Sequence, residues 1–384
     1  MTAGVPLAWL LLIKLRGRFI AAVAGIAFAV TLALVELGFQ DALYTSITQL
    51  YSHFNADLVL ISPSYQCMVA RETFPERRLY QTLAVKEVDS VASIYMDTLQ
   101  WTNPRNHRDR FIFVIGIKPV PGTFNLPAVN TDLAKIAEPG RVLFDEASRS
   151  EFGPIAALFR ERGTVVTELA RRRIEVAGLF RVGASFANSG HVITSDLNFL
   201  RMMPARQSGD IDVGLISLRP GSNAEAIRTA LSAMLPDDVA VLTKAGFLER
   251  ERNYWSRNLP IGFIFRASLI MSLIVGAVVV YQILYSGVSE HLAEYATLKA
   301  IGYSDRRLFR VVLQEALMLS VLGFVPGLLL GFGVYGIVRS ATVIPIQMTL
   351  PRIAVVYSLT AAMCAVAGAL AMRKLRLANP ADIF

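Results

Sequence analysis

Charge and cysteine are what this chain has least of. Only 18% of its 384 residues are Asp, Glu, Lys or Arg, whereas 54% are hydrophobic and the mean hydropathy is +0.47. A soluble globular chain carries more charge than that, so an integral membrane protein is expected. Cys67 and Cys364 are the only cysteines; one falls in a long polar region and the other in an apolar run. They are not expected to pair, and without a CxxC the chain has no redox motif or thiolate zinc site of the usual spacing. The four histidines, His53, His107, His191 and His291, are scattered. His291-Leu292-Ala293-Glu294-Tyr295 falls one histidine short of an inverted zincin motif. No GxxxxGK[ST] occurs, so the chain has no P-loop with which to hold ATP itself.

A net charge of +8 would suit a nucleic-acid partner, but its distribution argues otherwise. Residues 41–258 are close to charge-balanced, and the surplus of Lys and Arg lies beside apolar runs. That is the charge which orients a membrane protein, not a phosphate-binding surface, and no nucleic acid is expected as a partner.

Four apolar runs are long enough to cross a bilayer as helices: 19–39, 267–286, 316–338 and 353–372. Basic residues before the first, between the second and third, and after the fourth belong on one side of the membrane. Both termini are then cytoplasmic and residues 40–260 lie outside as one domain. Residues 1–18, with Trp9, Lys14, Arg16 and Arg18, read as an amphipathic helix lying on membrane lipid. The run 19–39 exceeds a signal-peptide core and is expected to stay as an anchor with Glu36 near its outer end. Residues 261–288 then hold the end of a stalk and the second span, 339–352 an outer turn with Pro345 and Pro351, and 373–384 a cytoplasmic tail. Away from their ends the spans contain no Asp, Glu, Lys, Arg or His, which makes them a poor ion path or secondary-transport site.

The fold class expected is therefore membrane α-helical, four helices with a large mixed α/β domain inserted between the first and second. Within that domain a helix at 41–54 continues the first span. Strand 57–61, helix 75–88 and strand 90–101 follow, and the order recurs late as strand 211–218, helix 223–235 and strand 239–243. Two such βαβ units can share a sheet in a split ferredoxin-like arrangement. Extended segments at 111–117, 142–144, 164–169, 174–180 and 191–194 suggest a β-rich insertion at about 105–205. Arg171-Arg172-Arg173 is expected at a solvated hairpin tip. Glu249, Arg252, Tyr254 and Trp255 mark a stalk ahead of the second span, and equally suit a solvated helix with an interfacial aromatic anchor.

Small residues recur at every fourth position: Ala21, Gly25, Ala29 and Ala33; Gly323, Gly327 and Gly331; Ala361, Ala365 and Ala369. Such rows let helices approach closely in lipid, within one four-helix unit or between two copies. Pro326 is expected to loosen the third span.

Residues 289–315 join the second and third spans. Lys299, Arg306, Arg307 and Arg310 are set there against Glu290, Glu294 and Asp305. A helix over 293–300 can end at Gly302, and Ser304 can cap a second one beginning at Asp305. The result is a cytoplasmic elbow. Glu294, the run Leu298-Lys299-Ala300-Ile301-Gly302, the turn Arg306-Arg307-Leu308-Phe309 and Glu315 resemble the signature of the MacB/FtsX-like ABC-transporter permease family, of the type VII ABC superfamily. The ending Arg373-Lys374-Leu375-Arg376 with Asn379-Pro380-Ala381-Asp382 is similar to that family's C-terminal tail. The wording across 291–317 resembles the DevC-type permease subunits of cyanobacterial glycolipid exporters.

The resemblance implies a non-catalytic permease subunit that binds no cofactor directly, ATP and Mg being held by a separate cytoplasmic ABC ATPase. Coupling to that ATPase would fall to Glu294, Lys299, Gly302, Ser304, Asp305, Arg306, Arg307, Phe309 and Glu315. A homodimer in the inner membrane, a periplasmic membrane-fusion adaptor and an outer-membrane channel of TolC type are further implied. The cargo would be a glycolipid or other amphiphile. Within the family the alternatives are an FtsX-like regulator of a cell-wall hydrolase that transports nothing, and a lipoprotein-releasing permease. An impermeant maleimide added from outside is expected to modify Asn130→Cys and spare Asp305→Cys; the reverse pattern would overturn the four-span topology.

Overall fold

Peptide groups in a lipid core find no water, so an apolar run that crosses it must satisfy its own N–H and C=O groups as a helix. The structure is a computed structural model and describes residues 16–258, 260–290, 301, 304–341 and 346–377. The chain divides after Ala42 and again after Leu259 into a helical unit and an α/β unit.

Helix α1 (Arg16–Ser52) runs from the first apolar segment through the residues expected to continue it. The α/β unit then follows as β1 (Leu58–Ile61), β2 (Phe74–Pro75), α2 (Arg77–Gln81), β3 (Val88–Thr102) and β4 (Asp109–Ile117). Next come α3 (Pro127–Ile136), β5 (Arg141–Asp145), α4 (Ile155–Arg162), β6 (Val165–Leu169), β7 (Arg172–Phe180), β8 (His191–Ser195) and α5 (Asp196–Met202). The unit closes with β9 (Asp210–Ile211), β10 (Val213–Leu218), α6 (Ala224–Met234), β11 (Ala240–Thr243) and α7 (Lys244–Asn258). Asn223 starts α6 by accepting the N–H groups of Glu225 and Ala226 on its side chain.

Nine strands form one sheet in the order β11-β1-β10-β3-β4-β8-β5-β7-β6. The first four are antiparallel throughout. Renumbered within the two units β1–α2–β3 and β10–α6–β11, their order is the split βαβ arrangement of a ferredoxin-like sheet. Residues 105–205 build no sheet of their own. Their strands extend the same one, through the β3–β4 hairpin and the parallel pair β4–β8, and three helices lie among them.

Two segments differ from expectation for local reasons. The helix expected over 75–88 shrinks to Arg77–Gln81 and a 3-10 turn at Thr82–Ala84, because Pro75 stays in β2 and Val85 is already extended. The strand expected over 211–218 breaks at Asp212, whose fully buried carboxylate accepts Met96 N–H at 2.8 Å and Arg71 Nε at 3.0 Å and also meets Arg206.

Alternate residues of the strands feed two separate cores. Leu58, Leu60, Tyr95, Ile112, Val114 and Ile216 pack with Leu79, Phe199, Ile227 and Leu231 on one face. Val59, Ile61, Met96, Phe113, Ile115 and Leu215 pack with Tyr51, Val129, Leu133 and Phe247 on the other. Both faces being covered, β1 is buried along its whole length and its sequence shows no polar alternation. Trp101, fully buried, also donates its indole N–H to Phe152 O at 3.1 Å, and truncating it to Ala should cost about 3–5 kcal/mol.

The helical unit takes residues of α1 up to Ala42 together with α8 (Ile261–Glu290), α9 (Asp305–Ala341) and α10 (Leu350–Leu377). Four helices, Gly17–Ser52, Gly262–Glu290, Phe309–Arg339 and Leu350–Met372, are long and apolar enough to cross a membrane. The helix expected after Ser304 and the third span are one continuous element. Pro326 lies inside it without ending it. Pro351 is not part of the outer turn but of the first turn of α10, where a missing N–H is tolerated. The unit buries Ala22, Ile26, Val30, Leu284, Leu319, Cys364 and Ala367, while Phe263, Val278 and Leu329 face outward as lipid contacts would.

At the expected hairpin tip, Leu169 pairs with Arg172, and the two turn residues Ala170 and Arg171 have φ of +51° and +58°. That is a type I′ turn built without Gly or Asn, and left-handed backbone costs an ordinary residue about 1 kcal/mol or more. Ala170→Asn with Arg171→Gly is therefore expected to raise the Tm of the α/β unit by about 2–4 °C in a thermal melt.

Candidate functional site

Within the helical unit the small-residue rows are occupied. A methyl group added at Gly323 would meet Ile26 at 2.5 Å, at Gly327 the Ala27 carbonyl at 2.8 Å, and at Gly331 Leu34 at 3.0 Å. The glycine row of α9 thus lies against α1. Thr31 reinforces the contact by donating to Ala27 O at 2.7 Å and to Gly327 O at 3.0 Å. Gly25 and Ala29 face a different neighbour, α8: a Cβ on Gly25 would meet Val279 at 2.6 Å, and one on Gly276 would meet Ala29 at 2.9 Å. Ala21, one turn earlier, is exposed.

A polar clamp near the ends of three helices escaped the sequence reading. Arg352, 8% exposed, donates to Asp41 at 2.7 Å and to the Tyr335 hydroxyl at 3.2 Å, and also caps Gln347 O. Tyr335 in turn donates to Leu34 O, and only the absent side chain of Gly38 leaves room for its ring. Glu36 is buried and accepts the Ser268 hydroxyl. Asp41 lies far in sequence from Tyr335 and Arg352, and nothing local announces that they meet.

In the α/β unit the stalk residues lie on α7. Trp255 is buried, Tyr254 is half-buried, and Glu249 and Arg252 are exposed. Between Glu249 and Arg252 lies Glu251, which the sequence reading did not single out. It is fully buried and accepts the Tyr65 hydroxyl at 2.6 Å. Its second carboxylate oxygen, the Tyr51 hydroxyl and the Trp255 indole N–H are buried with no hydrogen-bond partner. Burial pushes the Glu251 carboxyl up from 4.5 to about 7, against the opposing pull of the Tyr65 hydroxyl and the Arg250 charge. The signal was there: Phe247, Glu251 and Trp255 recur at every fourth position and share the buried face of the helix.

Of the elbow residues, Glu294, Lys299 and Gly302 lie outside the described residues. Ser304 is exposed and immediately precedes α9, Asp305 and Arg307 fall in its first turn, and Arg306 is exposed. Phe309 and Glu315 are half-buried further along the same helix. Among the described residues no group of three His, Cys, Asp or Glu could hold a metal ion. Cys67 and Cys364 are free and buried.

The helices after the α/β unit decide the comparison with known proteins. Residues 266–380 match the family model of the FtsX-like permease C-terminal domain. The match takes in most of α8, all of α9 and α10, and the segment that joins α8 to α9. No curated protein sequence matches the chain. Among solved structures, the periplasmic region of MacB from Actinobacillus actinomycetemcomitans aligns with a TM-score of 0.38 and 10% identity, over 52% of this chain and 94% of its own. The extracellular domain of the noncanonic ABC-type transporter YknZ from Gram-positive bacteria aligns with a TM-score of 0.34 and 12% identity, over 49% of this chain and 100% of its own. The chain is an integral membrane protein whose last three membrane helices are similar to those of FtsX-like permeases.

Glu251 makes stability depend on pH. Unfolded, its carboxyl ionises near 4.5; folded, near 7. Between those values the folded chain keeps a proton that the unfolded chain has released, so stability falls as pH rises, by up to about 3 kcal/mol across the window. Glu251→Gln is expected to remove most of that slope, read as Tm against pH from 4.5 to 7.5 for the full chain in detergent.

Proposed function

We propose that this chain is the permease subunit of an ABC-type exporter. A separate cytoplasmic ATPase docks on the elbow, and its closure is transmitted to an outward-facing α/β domain. The observation that carries this is the FtsX-like permease match over residues 266–380, because it includes the joint between α8 and α9 where coupling would occur. Two features of the chain support it. No P-loop motif is present to hold ATP, so a motor would have to come from a partner. The spans offer no mid-membrane Asp, Glu, Lys, Arg or His for a coupled ion, which favours mechanical work over secondary transport.

On this reading both termini are cytoplasmic, the membrane is the inner membrane, and two copies work together. In the DevC-like form of the proposal the cargo is a glycolipid or other amphiphile. It passes to a membrane-fusion adaptor and a TolC-type outer-membrane channel without crossing the four-helix bundle.

Purified alone, the chain is expected to hydrolyse no ATP, whereas together with its ATPase it should form a stable complex that does. Gly302→Val places a β-branched side chain at the corner expected from the sequence, at a cost of about 1–3 kcal/mol. Coupled turnover is expected to drop several-fold, and Arg306→Glu should weaken ATPase capture, with both variants still inserted in the membrane. Wild-type capture and turnover in both would remove the elbow from the mechanism. A cell-wall hydrolase captured in place of an adaptor would assign the chain to the FtsX-like regulators.

A further inference from the structure

The arginine run at the β6–β7 hairpin has a use that the hairpin itself does not require. Arg172 and Arg173, at the start of β7, line a cleft of about 410 Å³ together with Arg201 of α5. All three are exposed, and none of the residues lining the cleft is acidic. Among the described residues none of these guanidinium groups is paired with a carboxylate; Arg201 donates to the Asn198 side chain at 3.4 Å. Of the acids on adjoining segments, Glu138 and Glu175 both meet Arg141, at 2.7 and 3.6 Å, while Glu168, opposite Arg173 across the β6–β7 hairpin, forms no ion pair with it. Three like charges around one opening repel one another and lower the stability of the empty cleft. An anion would relieve that, and guanidinium forks match the oxygens of phosphate and carboxylate.

The wall and the floor of the cleft differ in chemistry. Ile174 and Met202 line it and are almost fully buried. Asn198, 3% exposed, fixes the rim: its Nδ2 donates to Ile136 O at 3.0 Å and Glu138 O at 2.8 Å, while its Oδ1 accepts Gly140 N–H at 3.1 Å. A rigid rim, an apolar floor and three unpaired cations suit a ligand with an anionic end and a hydrocarbon part.

We propose that this cleft binds the phosphate head of an anionic amphiphile, with the head on Arg172, Arg173 and Arg201 and the first carbons of its chain on Ile174 and Met202. The proposal stands on the cleft and does not depend on the permease reading, because binding can be measured with no ATPase present.

The test is calorimetric titration of the full chain in an uncharged detergent with n-hexyl phosphate and, separately, with inorganic phosphate. Hexyl phosphate is expected to bind at least tenfold more tightly than inorganic phosphate. Arg172→Gln, Arg173→Gln and Arg201→Gln together should weaken it by more than tenfold, with the circular dichroism of the chain unchanged. Arg171→Gln removes the same charge from the neighbouring turn, outside the cleft lining, and should leave the affinity within twofold. Equal affinity for the two probes would show a free-phosphate site and overturn the amphiphile. Equal weakening by Arg171→Gln would show diffuse surface charge and overturn the site. A triple variant that binds normally would overturn it as well.

Discussion

Strand β3 holds the α/β unit together through its length. Its 15 residues pair with β10 over the first half, with β4 over the second, and with β6 at the last two positions. An interior strand of ordinary length, about five or six residues, meets two neighbours, one on each edge; the length of β3 lets it join the ferredoxin-like half to the rest of the sheet and reach β6 as well. The two cores therefore run on beneath all the strands; of the added helices, α5 reaches β3 and β4, while α3 and α4 pack on the added strands β5, β6, β7 and β8. The buried Asp212 belongs to the same constraint. It interrupts the partner strand just where the pairing of β10 with β3 ends at Ile94, and it accepts the Met96 N–H of β3 in place of the lost pairing.

Much of this was legible in the sequence because hydrophobic runs of strand length are scarce outside sheets, and membrane helices must be longer still. The four apolar helices and the recurrence of β–α–β at both ends of the inserted domain follow from local composition. Contacts made between distant charges do not. Arg71 reaches Asp212, and Asp41 finds Arg352, through chain folding that no local window contains. Glu251 is the instructive case between these extremes. In Glu249-Arg250-Glu251-Arg252 every residue invites the same solvated reading, yet helical spacing puts only one of the four on the face that carries Phe247 and Trp255. Charge pattern suggested the outward residues, while the periodicity that marks the inward one lay in the same stretch unused.

The elbow shows the opposite division. Its sequence is the most informative stretch of the chain, and the matched family includes it, but its meaning lies in what binds there. The α/β unit has long-range contacts in abundance and almost no motif. Recognition and architecture are thus written in different parts of the molecule, the first in a short joint and the second in the sheet.

The glycine row of α9 also has a meaning as a register. Gly323, Gly327 and Gly331 stand four residues apart and face Ile26, Ala27, Val30 and Leu34. Advancing α9 along α1 by four residues, about 6 Å, would keep two of the three glycines opposite these side chains but bring Leu319 or Tyr335 into the third place, where even a methyl group has no room. Advancing it by one, two or three would drive bulkier neighbours such as Phe324 or Leu328 into the same narrow gap. The pair is consequently a locked joint: α1 and α9 move as one piece.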